Sequence, residues 1–181
     1  LRRPMDLVTA PLLDMGANIS SKLNNDCAPY IILPSKIRGI TYESSIASSQ
    51  VKSSILFTGL YADSTTTIIE PYQSRNQTEL LLEAFGANLT CTPLKTILYP
   101  DQKLKGCELT IPGDISSAAY FVTAALITQD SEITLRNVGM NPTKNGFIDV
   151  ILSMGADIEI INVRNGLEPT ADLIVRSSKL N

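Results

Sequence analysis

The sequence predicts a mixed α/β fold, built from repeated units that place their helices inside and their sheets outside. Three observations support it: a repeat of 67 to 70 residues, one helix that is apolar on nearly all sides, and strands that alternate. The apolar helix is the segment 118–127, with the sequence AAYFVTAALI, and an all-round apolar surface is typical of a buried helix. In the segment 132–136, polar side chains share one face and Ile133 and Leu135 the other, so one face of that sheet meets water.

The repeat is marked by a glycine that follows each of three short helical patterns. Gly16, Gly86 and Gly155 occur in LDMGANI, LEAFGANL and LSMGADI, and they lie 70 and 69 residues apart. A second marker, Lys-x-Lys/Arg-Gly, stands at 36–39 and 103–106, 67 residues apart. We expect the glycines to end their helices in the left-handed C′ conformation.

The third marker is a pair of serines before a helical pattern, Ser48-Ser49 and Ser116-Ser117, 68 residues apart. Serines here accept hydrogen bonds from the free amides of a first turn, and the same amides bind anions. Lys179-Leu180 is interpreted as the beginning of a third copy of the lysine marker. One unit is predicted to contain these elements in order: a helix over 78–85, a strand over 87–90, a hairpin-like pair around 94–99, a strand over 107–111, a helix over 116–128 and a strand over 132–138.

Composition excludes several kinds of function. The chain of 181 residues has a net charge of -3, so we expect no nucleic acid partner, and no apolar run reaches the ~20 residues of a membrane span. It has no histidine, which excludes histidine-based zinc sites and Ser-His catalysis, and we expect no metal or cofactor. Three separated cysteines, Cys27, Cys91 and Cys107, fit buried free thiols in a reducing cytosol, so we expect a cytoplasmic protein.

Several short runs together resemble the 5-enolpyruvylshikimate-3-phosphate synthase family. They are RPMD at 3–6, ASSQVKS at 47–53, SRNQTE at 74–79, PGDISSAA at 112–119 and RNVGMNPT at 136–143. The runs stand in the family's order and extend over the chain, and they are most similar to the bacterial class that is often tolerant of glyphosate. Two residues depart from that class: Gln77 stands where it usually has histidine, and Ser49 where it often has alanine.

The resemblance implies the enolpyruvate transferase fold, an inside-out α/β prism of repeated βαβαββ units in two domains. It implies that residues 1–111 are the later part of the first domain. Residues 112–181 would be the opening part of the second domain, with the interdomain hinge near 112–114. The chain would then be the middle of a longer protein, which we expect to be a monomer.

The resemblance also implies a reaction in chorismate and aromatic amino acid biosynthesis. The enolpyruvyl group of phosphoenolpyruvate is transferred to the 5-hydroxyl of shikimate-3-phosphate, and phosphate is released. Arg3 is then a phosphoenolpyruvate-binding residue, Ser48 and Ser49 bind the phosphate of shikimate-3-phosphate, Gln50 contacts both substrates, and Arg75 binds shikimate-3-phosphate. The resemblance places the essential acidic and lysine groups outside this chain, in which we find no paired carboxylates that could substitute for them. No catalytic residue is therefore assigned to the chain, and we expect it to be inactive alone.

The residues themselves leave a structural alternative open at each arginine. Arg3 precedes Pro4, which suits the first position of a helix, but an arginine at that place is also an ordinary exposed residue. Arg75 follows Ser74, which is the predicted N-cap of a helix over 76–85, and it equally fits a solvated loop.

The two serine pairs are not equivalent in sequence. Ala118 replaces Gln50 in the second copy, so Ser116 and Ser117 are expected only to cap their helix. Asp114 is interpreted as a turn or cap residue. Lys52 is interpreted as a solvated face residue and stays outside the predicted site.

Three alternatives remain. A UDP-N-acetylglucosamine enolpyruvyl transferase shares the prism fold but is not expected to contain the Ser48-Ser49-Gln50 sequence. RNA 3′-phosphate cyclase relatives share the repeat unit but use histidine, which is absent. A non-catalytic ligand-binding or assembly module is the third.

Overall fold

The computed structural model describes residues 3–23 and 25–181 and divides the chain into two compact units, Leu1–Cys107 and Glu108–Asn181. The predicted boundary between residues 111 and 112 refers to the domains of the family and stays a prediction. Each unit has its own hydrophobic core.

The first unit consists of a helix and a hairpin followed by a larger α/β arrangement. Its elements are α1 (Asp6–Asp14), β1 (Asn18–Ser21), β2 (Tyr30–Leu33), β3 (Thr41–Glu43), α2 (Ser49–Gly59), β4 (Thr66–Ile69), α3 (Gln77–Ala84), β5 (Leu89–Thr92) and β6 (Lys95–Leu98). Strands β1 and β2 pair antiparallel, and a second sheet has the order β3-β4-β6-β5. In that sheet β3 and β4 are parallel and joined through α2, while β5 and β6 form a hairpin. The sequence from β3 to β6 is therefore one βαβαββ unit, as predicted. The predicted hairpin-like pair around 94–99 is wrong, because that segment holds one strand, β6, and its partner is the preceding strand β5.

The second unit repeats this order with a reduced first strand. Its elements are α4 (Ile115–Ile127), β7 (Glu132–Gly139), α5 (Gly146–Ser153), β8 (Asp157–Arg164) and β9 (Thr170–Arg176), and its antiparallel sheet has the order β7-β9-β8. The predicted strand over 107–111 is wrong, because those residues form no strand. A single parallel bridge between Gly113 and Val138 stands where β3 pairs with β4 in the first unit. The parallel pairing of β3 with β4 thus corresponds to a single bridge in the second unit, and the segment 107–111 before that bridge has no partner strand among the described residues.

The glycine markers end their helices as predicted. Gly16, Gly86 and Gly155 have φ values of 93°, 78° and 88°, a conformation that side chains with a Cβ rarely adopt. In each case the amides of the glycine and of the next residue donate to carbonyls of the last helical turn, which is a Schellman motif. The lysine marker then returns to the same helix end through three equivalent backbone bonds: Arg38 to Met15 (2.9 Å), Lys105 to Phe85 (2.8 Å) and Asn181 to Met154 (2.9 Å). The interpretation of Lys179-Leu180 as a third copy of this marker is confirmed.

The four-stranded sheet of the first unit and the three-stranded sheet of the second each pack one face against helices of the same unit. Strand β4 alternates buried and half-buried residues, and in β7 Glu132, Thr134 and Arg136 are exposed while the residues between them are more buried. The core of the first unit consists of Met15, Val51, Ile55, Leu56, Ile68, Leu82 and Leu98. Each fully buried aliphatic side chain of this kind contributes about 1.5–3 kcal/mol. The alternation predicted for 132–136 is confirmed.

Helix α4 is buried on one face only. Val122 and Leu126 lie in the core, whereas Tyr120, Phe121 and Ile127 are 80%, 62% and 72% exposed. The expectation of all-round burial is therefore wrong for this chain, because one sheet can cover only one side of a helix. The apolar composition of the other side is not explained by contacts within the described residues.

Two further expectations can be compared with the structure. The cysteines are free, but Cys91 and Cys107 are exposed and Cys27 is half-buried, so the expectation of buried thiols is wrong. Within the described ranges, no helix has both the length and the apolar character that crossing a membrane requires.

Candidate functional site

Helix α2 begins with a serine cap and leaves several donors unused. Ser48 has extended backbone angles, and its Oγ accepts a hydrogen bond from the amide of Val51 at 3.4 Å, so the predicted cap is confirmed. The backbone amides of Ser49 and Gln50 have no acceptor among the described residues, nor does either side chain have a hydrogen-bond partner there. Free amides at a helix N-terminus attract anions, since the helix dipole is positive at that end.

Helix α4 begins differently, because a carboxylate takes the capping place. Asp114 Oδ2 accepts from both the amide and the Oγ of Ser117 at 2.9 Å, and its Oδ1 accepts from Lys144 Nζ. These bonds, with that of Lys144 the strongest, hold the pKa of Asp114 well below its ordinary range. The interpretation of Asp114 as a cap is confirmed. The expectation that Ser116 and Ser117 cap α4 is wrong, because the carboxylate of Asp114 accepts the hydrogen bond from the amide of Ser117.

Arg75 and Lys144 occupy equivalent positions in the two units. Arg75 directly precedes Asn76, the N-cap of α3, and Lys144 directly precedes Asn145, the N-cap of α5. Lys144 forms its ion pair at the start of α4. Arg75 is exposed and has no hydrogen-bond or ion-pair partner in the described part of the chain. The first unit therefore has the cation and the helix start of this arrangement, with a neutral serine cap in place of the carboxylate.

Two predictions around the arginines are wrong. Asn76, not Ser74, is the N-cap of α3, and Ser74 Oγ is buried without a hydrogen bond among the described residues. Helix α1 begins at Asp6 after the N-cap Met5, so Pro4 is not at the first helical position.

Arg3 is the predicted site residue that does not lie at the start of α2 or α3. Arg3 is exposed, and the adjacent Pro4 forms an isolated bridge with Cys27. Within the described ranges, no hydrogen bond or ion pair joins Arg3 to Ser48 or Arg75. Its role stays a prediction.

Direct contacts bring the starts of α2 and α3 together. Ser53 Oγ donates to the carbonyl of Ser49 at 2.6 Å and lies 2.6 Å from Thr78 Oγ1 in the first turn of α3. Because Thr78 follows Arg75 by three residues, the segments Ser48–Gln50 and Arg75 lie at the same end of this helix pair. Four of the five predicted site residues are thus on two adjacent helix starts.

Sequence reasoning missed a buried ionic cluster beneath these helix starts. Lys52 Nζ lies 2.8 Å from Glu70 Oε2 and 2.7 Å from Glu79 Oε1, and the three side chains are only 3%, 4% and 8% exposed. The interpretation of Lys52 as a solvated face residue is therefore wrong. A signal was present: Lys52 precedes the core residues Ile55 and Leu56 by three and four positions, which is the spacing of one helix face.

Lys52 satisfies only one oxygen of each carboxylate in the cluster. Glu70 Oε1 and Glu79 Oε2 are buried without a hydrogen-bond partner among the described residues. Two carboxylates share one ammonium, so the geometry of all three side chains depends on Lys52.

Comparisons with known proteins agree with this architecture. A solved structure of EPSP synthase from Acinetobacter baumannii superposes with a TM-score of 0.83 at 40% identity, covering 99% of this chain and 41% of that one. Another EPSP synthase structure from the same organism gives 0.83 at 39% identity, with 99% and 42% covered. The chain thus has the mixed α/β fold of these enzymes, and the predicted fold class is confirmed.

The sequence comparisons define the family. The model of EPSP synthase (3-phosphoshikimate 1-carboxyvinyltransferase) matches residues 1–181, and the chain belongs to this family. A 3-phosphoshikimate 1-carboxyvinyltransferase of Thermoanaerobacter sp. (strain X514) is 49% identical over 180 residues, and one of Geobacillus kaustophilus (strain HTA426) is 47% identical over 180 residues. Both alignments cover 99% of this chain and 42% of the relative, so the chain spans less than half the length of these proteins.

Proposed function

We propose that the protein transfers the enolpyruvyl group of phosphoenolpyruvate to the 5-hydroxyl of shikimate-3-phosphate, releasing phosphate, and that this chain supplies part of the binding site. The family match over residues 1–181 and the names of its relatives support the reaction. The structural support comes from the residues around the start of α2.

The observation that carries the proposal is the difference between the two units. In the second unit, a cation that precedes a helix N-cap pairs with a carboxylate at the start of the preceding helix. In the first unit, Arg75 and the start of α2 stand in the same relation along the chain, but the cap is a serine, and Arg75 pairs with no carboxylate of the described residues. The phosphate of shikimate-3-phosphate would supply the missing anion.

The donors around α2 suit a phosphate group. The amides of Ser49 and Gln50, the hydroxyls of Ser48 and Ser49 and the guanidinium of Arg75 together offer several hydrogen bonds and one positive charge. Ser48 Oγ accepts from Val51 and can still donate its own hydrogen. The amide of Gln50 extends beyond the phosphate, where we place its contact with both substrates.

Phosphoenolpyruvate is assigned to Arg3 in this proposal. The guanidinium of Arg3 is exposed, and a planar fork of N–H groups matches a carboxylate or a phosphate. The reaction protonates the methylene carbon of phosphoenolpyruvate, adds the 5-hydroxyl to the resulting cationic carbon, and then eliminates phosphate. The first step needs a general acid and the second a base.

No residue of this chain is assigned either catalytic role. Glu70 and Glu79 are the paired carboxylates of the first unit, but both are buried and bound to Lys52, away from solvent. We therefore expect the purified 181-residue chain to bind shikimate-3-phosphate without turning it over.

The proposal includes the arrangement of the whole protein. We assign residues 1–111 to the later part of the first domain and residues 112–181 to the opening part of the second, with the hinge near 112–114. We propose a cytoplasmic monomer that binds no nucleic acid. The mild net charge of -3 and the three free cysteines support this.

Isothermal titration tests the proposal. Shikimate-3-phosphate added to the 181-residue chain should give saturable binding, whereas UDP-N-acetylglucosamine should give none. Binding should weaken as salt is raised, because the recognised group is a dianion. Failure to bind shikimate-3-phosphate, or preference for the UDP-sugar, would contradict the proposed substrate.

A further inference from the structure

The cluster of Lys52, Glu70 and Glu79 joins the three segments that surround the proposed phosphate site. Lys52 lies two residues after Gln50 in α2, and Glu79 lies four residues after Arg75 in α3. Glu70 directly follows β4, at the start of the loop that leads to Arg75. The two ion pairs therefore connect the serine-capped helix, the beginning of the arginine loop and the helix that follows it.

The cluster has the properties needed to fix the relative positions of the three segments that it joins. Its three side chains are at most 8% exposed, so water does not screen the ion pairs as it does at a surface. A buried ion pair adds little net stability over apolar side chains of similar size, but it permits fewer arrangements. The backbone beside Glu70 is also held, since its amide donates to the carbonyl of Leu94 at 2.9 Å.

The second unit fixes its helix start and its cation without a buried ionic cluster. There, Asp114 and Lys144 bond to each other directly, so the helix start and the cation define their own separation. In the first unit Arg75 has no ion-pair partner among the described residues, so its position is not fixed by such a contact. In the second unit, Ala118 follows the N-cap Asp114 by four residues, as Lys52 follows Ser48, and Ile148 follows Lys144 by four residues, as Glu79 follows Arg75. Both are apolar, at 9% and 1% exposed, so the second unit has no equivalent of the Lys52–Glu79 ion pair at these positions.

We propose that Lys52, Glu70 and Glu79 are positioning residues for shikimate-3-phosphate: they hold the free amides of Ser49 and Gln50 at the separation from Arg75 that one phosphate group can bridge. This inference rests on the proposed function and adds to it the residues that preorganise the site. Preorganised donors bind more tightly because less conformational freedom is lost on binding.

The test compares two glutamates of α3 by titration of the 181-residue chain with shikimate-3-phosphate. Glu79→Gln keeps the shape of the side chain but removes its charge from Lys52. Glu83→Gln makes the same change one turn later, at an exposed position without an ion pair. Glu79→Gln should weaken binding about tenfold or more, which corresponds to about 1.4 kcal/mol, and Glu83→Gln should stay within about twofold.

A double-mutant cycle separates positioning from a general loss of stability. In an Arg75→Ala background, Glu79→Gln should have no further effect on affinity, because the group that it positions is absent. It should still shift the unfolding midpoint as it does in the parent. Additive losses of affinity would overturn the inference, as would unchanged affinity of Glu79→Gln in the parent chain.

A second variant tests the inference in a chain that is expected to keep its fold. Replacing Lys52, Glu70 and Glu79 together by methionine fills similar volume without buried charge, so the unit should fold. Its circular dichroism should match the parent, while its affinity for shikimate-3-phosphate falls about tenfold or more. Parent-like affinity of this variant would overturn the inference. A parent chain that does not bind shikimate-3-phosphate at all would overturn the proposed function, and this inference with it.

Discussion

The two serine-led helices belong to copies of one unit, yet they satisfy their first turns in opposite ways. Ser48 caps α2 with a neutral hydroxyl and leaves the next two amides without an acceptor. Asp114 caps α4 with a carboxylate, which also pairs with Lys144. The second unit thus contains its own anion, and the first unit presents donors that an anion from outside could use.

This difference shows how a duplicated unit can serve structure in one copy and binding in the other. Both copies need an acceptor at the helix start, since buried or half-buried amides are costly without one. The carboxylate of Asp114 meets that need permanently. Ser48 accepts from only one amide of the first turn of α2, and Arg75, which corresponds to Lys144, has no partner among the described residues.

The largest contrast is expected between Lys52 and Tyr120, each of which stands four residues after the first serine of its pair. Lys52→Met leaves Glu70 and Glu79 buried against each other without a cation, which should lower the free energy of unfolding by about 3–5 kcal/mol. Tyr120→Ala, at an exposed position, should change it by at most about 0.5 kcal/mol. Urea unfolding followed by circular dichroism measures both, and equal losses would show that the two positions are not distinguished by burial.

The next contrast concerns Arg75 and Lys144, the cations that directly precede the N-caps of α3 and α5. Arg75→Ala removes a charged hydrogen-bonding group from the phosphate, so affinity for shikimate-3-phosphate should fall about 10- to 150-fold. Lys144→Ala should leave that affinity within about twofold, because its partner is Asp114. Calorimetric titration of both variants is the measurement. A loss of binding in Lys144→Ala alone would reverse the assignment of the two units.

The two aligned serines should differ more modestly. Ser48→Ala removes the N-cap of α2 and should destabilise the protein by about 0.5–2 kcal/mol. Ser116→Ala should be within about 0.5 kcal/mol of the parent, since Asp114 caps α4 instead. Thermal unfolding of the pair provides the comparison. An equal loss in Ser116→Ala would mean that the hydroxyl contributes to the cap after all.

The smallest effect is a pH dependence at Asp114. Its pKa is lowered in the folded state, so its contribution is present above the ordinary value of 3.8 and is lost as the pH falls through the folded value. Asn is an equally good N-cap, so Asp114→Asn should lose only the partly exposed ion pair with Lys144, at most about 1 kcal/mol at pH 7. Unfolding measured from pH 7 downward should show parent and variant converging below pH 3.8. A gap that widens in acid would contradict this sign.

Much of the fold follows from patterns that span a few residues. The glycine helix ends and the alternation in β7 were predictable, because each depends on neighbours within about five residues or on a period of two. The missing strand over 107–111 was not predictable, because a strand needs a partner from elsewhere in the chain. The choice of Asp114 over Ser116 as cap also depended on Lys144, 30 residues later.

The sequence by itself determined the repeat, the serine cap of α2 and the residue types of the proposed phosphate site. These are local properties of backbone conformation and hydrogen-bonding capacity. Only the tertiary structure decided that Lys52 is buried between two carboxylates and that one face of α4 stays exposed. Burial and ion pairing depend on which distant segments pack together, and Glu70 and Glu79 lie 18 and 27 residues from Lys52 along the chain.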